Sequence, residues 1–580
     1  MEKFFKKRGQ KLQRRVTRLA KDVSEDSIDH IKENLVDRVS HIRNVRLLVL
    51  EWSLLVVVMI FLSLTQAFWY SDSYASETYV PGGTYSEATL GKVNSLNPLF
   101  ASTNSEKTLS RLLFATLTSV DYTGHTGLGL AESITMDETG KTWTLKLRDG
   151  LKWSDGEPLT NADVIFTVNL IQDTRTNTSY NNAMAGVSVA EDKAGNLVFS
   201  LDTPNVYFNS ALDLPIVPKH ILEKVESALL LEDTFSTAPT VTSGAFTYNA
   251  AQLVGTEGEK IIYLNPNSNY YKGKAMLGSF VVHAFLKTDD IVSALNTGMV
   301  SATAELRSSD ESKITSGAIT LRQTSLSYGV YAFFNMDSET LKSKPLRQAI
   351  RQGLNMTNLR NFLNGEVALD YPLIPSQIDI KKYPEIPQED FIKARSAVMN
   401  IVGANPTETL QVVTVDSGYL SQIAQNMAEQ LTDLGIPATA QVYEANQDFV
   451  LNVLRPRNYD IVIYPIGLGP DPDLMAYYHS TQATSSGYNL SNYRNSLVND
   501  IMVSARTTVD QNLRSKKYES FLNTWVDDVP AIGIYQTALS YYVNKNVRTF
   551  STENSLVYST DRFNDVIYWA AEKATKNRTP

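Results

Sequence analysis

The sequence predicts an α/β protein held at a membrane by one helix, and three observations carry that expectation. The 580-residue chain is 43% hydrophobic and 20% charged, a globular composition rather than a disordered or collagen-like one. Residues 47–70 form an apolar run whose one charge is Glu51. Beyond Leu410, strand-like and helix-like segments alternate in the manner of a parallel sheet with crossover helices.

The chain starts with charge. Up to Arg46 it carries 13 Lys and Arg against 7 Asp and Glu, whereas the whole chain carries 53 against 62. Such asymmetry points to two environments. The run 47–70 follows directly, long enough at 1.5 Å per residue to cross a hydrocarbon core of ~30 Å. Phe68, Trp69 and Tyr70 close it like an interfacial aromatic belt. A cleaved signal core is usually shorter and lies behind a shorter basic region, so the run reads as a retained anchor. The basic side is then cytoplasmic, and residues after Tyr70 lie outside. Within residues 1–46, Ile28, Ile31, Leu35, Val39 and Ile42 recur at helical spacing. Lys3–Lys21 mixes basic and apolar residues, which suits a helix lying on anionic lipid, a short helical stalk or a partly disordered tail. Residues 71–79 read as a small polar linker.

No cysteine is present, which excludes disulfides, thiolate metal sites, thiol nucleophiles and a lipid-modified N-terminal cysteine. The 6 histidines are scattered without metal-site spacing. No G-x-S-x-G, H-E-x-x-H or P-loop motif occurs. Gly124–Gly129 lacks the strand-then-helix setting of a dinucleotide site.

In the outer region Trp143, Leu145 and Leu147 alternate with polar residues as in a half-buried strand. Asp149-Gly150 turns the chain, and Thr160 with Asp163 opens a helix. Trp153 and Asp155 read as fold residues. Further on, Leu410–Val415 is a β-branched run. Leu420, Ile423, Met427, Leu431 and Leu434 form a helical stripe stopped by Gly435 and Pro437. Ala438–Tyr443 and Asp460–Tyr464 are further strands, with helical Phe449–Leu454 between them. In an open α/β sheet the ligand lies beyond the carboxyl ends of the strands, which directs attention to the loop after Tyr464.

The run from Lys141 to Val168, KTWTLKLRDGLKWSDGEPLTNADVIFTV, closely resembles the signature of extracytoplasmic solute-binding proteins of the dipeptide/oligopeptide class, family 5. The resemblance continues in Leu96-Asn97-Pro98, in Pro239–Tyr248, in Leu264–Tyr271 and in Tyr331–Asn335 with Pro345–Leu354, where Asn355 stands for a usual Asp and can equally cap a helix. It implies a two-lobed periplasmic-binding-protein-like fold of type II with an extra subdomain. Lobe I is expected over 80–125, 206–323 and 536–580, the extra subdomain over 126–205 and lobe II over 324–535. It also implies that the loop Pro465–Asp473 meets ligand. In peptide-binding relatives an Asp there pairs with the ligand's α-ammonium, and that position is Leu468 here. Asp471 or Asp473 can substitute, although Asp471-Pro472-Asp473 also reads as a helix start with Asp471 as N-cap. The expected ligand-binding set is Asn97, Tyr328, Tyr331, Tyr464, Ile466, Gly467, Leu468, Gly469, Asp471 and Tyr488, with Tyr478 and Tyr493 as further aromatic candidates. No cofactor, metal or nucleic acid is implied. The partners are a peptide or similar solute, a permease and its ATPase, and the membrane through one helix. A transmembrane sensor is the alternative, and a hydrolase on the same fold a more distant one.

Overall fold

The computed structural model describes residues 42–403, 408–553 and 555–577. The basic segment 1–41 and its helical pattern lie outside the described residues. The chain divides into two compact units, residues 1–78 with 573–580, and Tyr79–Glu572.

In the first unit a 33-residue helix runs Ile42–Tyr74. Its stretch Leu47–Trp69 is long and apolar enough to cross a membrane, and no other described helix is. Residues 71–79, expected as a linker, are instead the end of this helix and a strand. Ser71-Asp72-Ser73-Tyr74 contains neither Gly nor Pro, so nothing breaks the helix before Tyr74. Ala75–Val80 then pairs with Glu572–Asn577. The C-terminal strand therefore belongs with this unit, and not with the lobe that was expected to reach residue 580.

The second unit is organised by one 11-stranded sheet. At one end lie Ala438–Tyr443, Leu410–Val415 and Ile461–Gly467, parallel as the strand–helix alternation requires. Helix Leu420–Leu434 ends at Gly435, whose φ of 100° is the left-handed stop that glycine adopts without a Cβ penalty. At the other end Gly82–Leu90 pairs in parallel with Leu277–Phe285, which continues antiparallel to Glu259–Pro266 and then Phe246–Val254. A separate four-stranded sheet is built from residues between Ala131 and Leu201. Its inward residues Leu145, Leu197 and Phe199 belong to the same core as the neighbouring sheet end. The helix beside it, Asn161–Gln172, opens as expected, with the Thr160 N–H donating to the Asp163 carboxylate at 2.8 Å.

Two large cores result. One gathers apolar side chains from Tyr85 to Ala302 and from Leu539 to Trp569. The other gathers Val330 to Tyr535. In the middle of the sheet, the long antiparallel strands Ile319–Phe334 and Ala531–Asn544 run from one core into the other. Their register breaks between Ser325 and Gly329, where the chain leaves the first core for the second. The Gln536 side-chain amide bridges the break by donating to the Leu326 carbonyl at 2.9 Å. Gly329 is required there, because a Cβ would come within 2.5 Å of the Tyr331 ring and 2.7 Å of Leu369.

Within the first core Glu87 and Arg562 form an ion pair with side chains 0% and 2% exposed, 2.6 Å apart. The Arg562 Nε also donates to the same Glu87 oxygen, and the hydroxyls of Tyr85 and Tyr541 donate to the other at 3.1 and 2.9 Å. A buried pair of this kind is tolerated because every charge has a donor or acceptor. Replacing Glu87 by Ala strands the guanidinium. The expected loss is about 3–5 kcal/mol in urea unfolding followed by tryptophan fluorescence. The pair replacement Glu87→Leu with Arg562→Met should recover most of it.

Candidate functional site: the cleft between the two cores

The strand crossing forms the floor of a cleft. Leu326, Tyr328, Thr537 and Ala538, all at or beside the register break, line a cavity of about 880 Å³. One wall comes from helix Asn104–Leu113, through Lys107, Thr108 and Arg111, and from Tyr180, Asp213 and Tyr558. The facing wall brings Ser417 and Pro465 from the ends of two parallel strands. A second cavity of about 620 Å³ adjoins the first, the two sharing the lining residues Ala183, Ser210, Ala211 and Tyr558. Gly467, Leu468, Gly469 and Asp471 form its wall on the second-core side. Volumes of this size suit a multi-residue solute.

The first wall is held by charge. The Arg111 guanidinium meets the Asp213 carboxylate at 2.8 Å and Asp561 at 3.5 Å, and donates to Asn564 Oδ1 at 2.8 Å. Burial opposes the charge on Arg111, yet Asp213 and Asp561 more than reverse that and hold its pKa above the usual value. The other Asp561 oxygen accepts the N–H groups of Val557 and Tyr558 at 3.2 and 2.8 Å. Those bonds fix the turn that carries Tyr558 to the cleft. Tyr328 meets Tyr558 edge to face, with ring centroids 6.4 Å apart.

The opposite wall is a pinned loop. The Gln377 side-chain amide donates to the carbonyls of Leu468 and Gly469, each at 2.9 Å. The Leu468 N–H donates to Ser327 at 2.8 Å, and the Tyr477 hydroxyl to the Gly467 carbonyl at 2.6 Å. Gly469 has φ 65°, which a side chain would strain. Asp473 is paired by Arg506 at 2.6 Å. Away from the floor the walls also touch: the Val206 N–H donates to the Arg506 carbonyl at 2.9 Å, and the Tyr207 hydroxyl to Tyr518 at 3.3 Å.

The expected residues divide. Tyr328, Gly467, Leu468, Gly469 and Asp471 line the cleft. Leu468 is 3% exposed and is also part of the second core, so an apolar side chain fills the place where an ammonium partner was considered. Asn97 is buried away from the cavity walls and caps the turn Pro98–Phe100, accepting from the Leu99 N–H at 3.2 Å. Tyr331 points into the second core, its hydroxyl donating to the Tyr371 carbonyl at 3.0 Å. Tyr464 stacks on Phe449, and Ile466 is buried in the same core. Tyr488 is 60% exposed and off the cavity walls. Tyr478 and Tyr493 are core residues, whereas Tyr477 reaches the cleft. Asp471 is not an N-cap. The helix runs Met475–Tyr478, and it is Asp473 that accepts from the Met475 N–H, at 3.4 Å. Asn355 does cap its helix, accepting from the Asn358 N–H at 2.8 Å. Lys107, Arg111, Tyr180, Asp213 and Tyr558 were missed. They converge from segments far apart in the chain, and nothing local marks them. Among the described residues no group of three His, Asp or Glu side chains could hold a metal ion.

Comparison with known proteins matches this architecture. The profile of the bacterial extracellular solute-binding proteins, family 5 (middle region), matches residues 127–488. The oligopeptide-binding protein AppA of Bacillus subtilis is 26% identical over 512 residues, covering 83% of this chain and 92% of that protein. A dipeptide-binding protein of Lactococcus lactis is 28% identical over 275 residues, covering 42% of this chain and 48% of that protein. The structure of Bacillus subtilis AppA in complex with a nonapeptide superimposes with a TM-score of 0.68 at 22% identity, covering 85% of this chain and 99% of that one. The ABC transporter substrate-binding protein CtaP of Listeria monocytogenes gives a TM-score of 0.75 at 25% identity, covering 85% and 100%. The fold is thus the type II periplasmic-binding-protein fold, mixed α/β.

The Gln377 amide is the part of the loop wall most open to test. Gln377→Leu removes its donations to the Leu468 and Gly469 carbonyls. Hydrogen exchange of the Gly467, Leu468, Gly469 and Asp471 amides should then accelerate about tenfold or more, with exchange in strand Leu410–Val415 unchanged.

Proposed function

The chain belongs to the bacterial extracellular solute-binding proteins, family 5, and from that premise we propose that it captures a peptide between its two lobes outside the membrane and passes it to an ABC transporter permease. The observation that carries this reading is the cleft itself. Two cores are joined through one pair of strands whose register breaks at the cavity floor, and the two adjoining cavities are lined from both. A ligand that touches both walls binds the closed arrangement better than the open one, and that difference alone drives closure. The lining suits a peptide. Tyr328, Tyr558 and Tyr477 offer broad apolar faces with polar tips, and a loop rich in backbone groups faces them. The relatives named for oligopeptide and dipeptide binding support the same class. In this reading the lobes are the two cores with their sheet ends, and the binding set is led by Tyr328, Gly467, Gly469 and Asp471, joined by Arg111 and Tyr558.

The helix Leu47–Trp69 is read as a retained anchor with the basic N-terminal segment in the cytoplasm, which keeps the receptor beside its permease. The carrier reading is favoured over catalysis because a binding cycle needs only closure and release.

Two measurements test this. Isothermal calorimetry of the chain with a library of short peptides should give binding for at least one class, and native mass spectrometry should find a peptide among co-purifying ligands. Silence across the library with a non-peptide solute retained removes the peptide claim. After alkaline carbonate washing, the chain should stay with the membrane and retain sequence upstream of Leu47. A soluble form beginning after Tyr70 removes the anchor.

A further inference from the structure

The two walls of the cleft meet a second time, away from the shared strands, and the contact has the form of a prong in a socket. The prong is the segment from Asn205 to Ser210. Phe208 roots it in the first core, its ring centre 6.2 Å from that of Trp143 and 5.8 Å from that of Phe199, both on the four-stranded sheet. The Asn205 N–H donates to the Gly140 carbonyl at 2.9 Å. Tyr207 is tied on both sides of its backbone. Its N–H donates to the Asn205 side-chain oxygen at 3.0 Å, and its carbonyl accepts from the Ser210 hydroxyl at 2.7 Å. Val206 and Tyr207 are buried, yet neither belongs to the first or the second core.

The socket is made by two helices of the second lobe, Ser496–Thr507 and Gln511–Asp528. Carbonyls in the last turn of a helix have no donor within it, and that of Arg506 is filled from outside by the Val206 N–H at 2.9 Å. On the next helix Arg514 and Tyr518 lie one turn apart and share a face. The Arg514 guanidinium carbon is 5.6 Å from the centre of the Tyr207 ring, and the Tyr207 hydroxyl donates to that of Tyr518 at 3.3 Å. Arg514 is held in place by donating to the Thr508 and Val509 carbonyls at 2.7 and 3.0 Å. Asn205, Tyr207 and Arg506 also line the smaller cavity, so the contact borders the space assigned to solute.

Resting on the capture reading for the role of the cleft, we propose that Tyr207, seated between Arg514 and Tyr518, is a clasp that biases the receptor toward its closed form and is released when a solute enters or leaves. Each of these contacts joins protein to protein, so the clasp favours closure with no contribution from a solute. A bend of the ladder near Ser325 and Gly329 that parts the walls withdraws Tyr207 from the socket, unpairing the Val206 N–H and exposing the ring. The clasp therefore sets where the open–closed equilibrium starts, and it lessens the preference for the closed form that a solute has to supply. Since Val206 and Tyr207 belong to neither core, the clasp is separable from the packing that holds each lobe together.

The chain has no cysteine, so an introduced thiol reports access to the cleft. Thr537→Cys places one on the cleft floor, and the full chain in detergent is labelled there with fluorescein maleimide, a bulky reagent. Adding Tyr207→Ala should raise the labelling rate about tenfold. Arg514→Met with Tyr518→Phe empties the socket without changing a residue that lines either cavity, and should raise the rate about threefold or more. Val412→Cys, fully buried in its strand, monitors the interior and should stay unlabelled in every background. An unchanged rate with Tyr207→Ala overturns the clasp. So does a rise with Tyr207→Ala that the socket pair does not reproduce, because the missing ring has then only widened the cavity. If Val412→Cys becomes reactive alongside Tyr207→Ala, that variant has loosened throughout and the socket pair decides. A rise at Thr537→Cys with Val412→Cys still silent supports the clasp, and any other result overturns it. No peptide enters the measurement, so calorimetric silence removes the peptide claim and leaves the clasp to be judged on these rates.

Discussion

The architecture depends on a pair of strands that two cores share. Ile319–Phe334 and Ala531–Asn544 are hydrogen-bonded along most of their length, so each core is extended from the same central ladder. A sheet resists shear along its bonded strands but yields where the ladder is interrupted. The interruption between Ser325 and Gly329 lies between the cores. Its side chains are therefore free to line the cleft instead of filling either interior. The hollow is a by-product of the crossing, since neither core can close over a segment that belongs to both.

The walls of that hollow are supported by polar groups in the first core. Asp561 and Arg562 are adjacent in sequence and face different tasks. Arg562 is locked on Glu87 among Tyr85 and Tyr541, while Asp561 holds the backbone of Val557 and Tyr558 and meets Arg111. One short stretch thus ties the interior to the cleft surface. The opposite wall is held differently, by the amide of Gln377 and the hydroxyl of Tyr477 on backbone carbonyls. That leaves the carbonyls of Gly467, Leu468 and Gly469 committed.

Local structure was legible where a local rule governed it. The stripe from Leu420 to Leu434 with Gly435 beyond it, the Thr160–Asp163 start and the Asn355 cap each rest on residues a few positions apart. The parallel arrangement of Leu410–Val415, Ala438–Tyr443 and Ile461–Gly467 followed from their alternation with helices. The cleft was half legible. The loop after Tyr464 was identified because sheet topology fixes where strands end. Arg111, Asp213 and Tyr558 were not, because they meet only through long-range pairing. Tyr331, Tyr464 and Tyr488 show the other limit: an aromatic near the right strand can turn to the core or to solvent, and composition does not say which. Asp471 was misread as a cap because Asp-Pro-Asp fits a helix start, whereas the chain delays the helix to Met475.

The two halves are tied by two adjacent, hydrogen-bonded chain segments and not by long flexible connectors. Any change in the width of the cleft is a bend of that ladder near Ser325 and Gly329. A connection this short and bonded leaves one half little conformational entropy relative to the other.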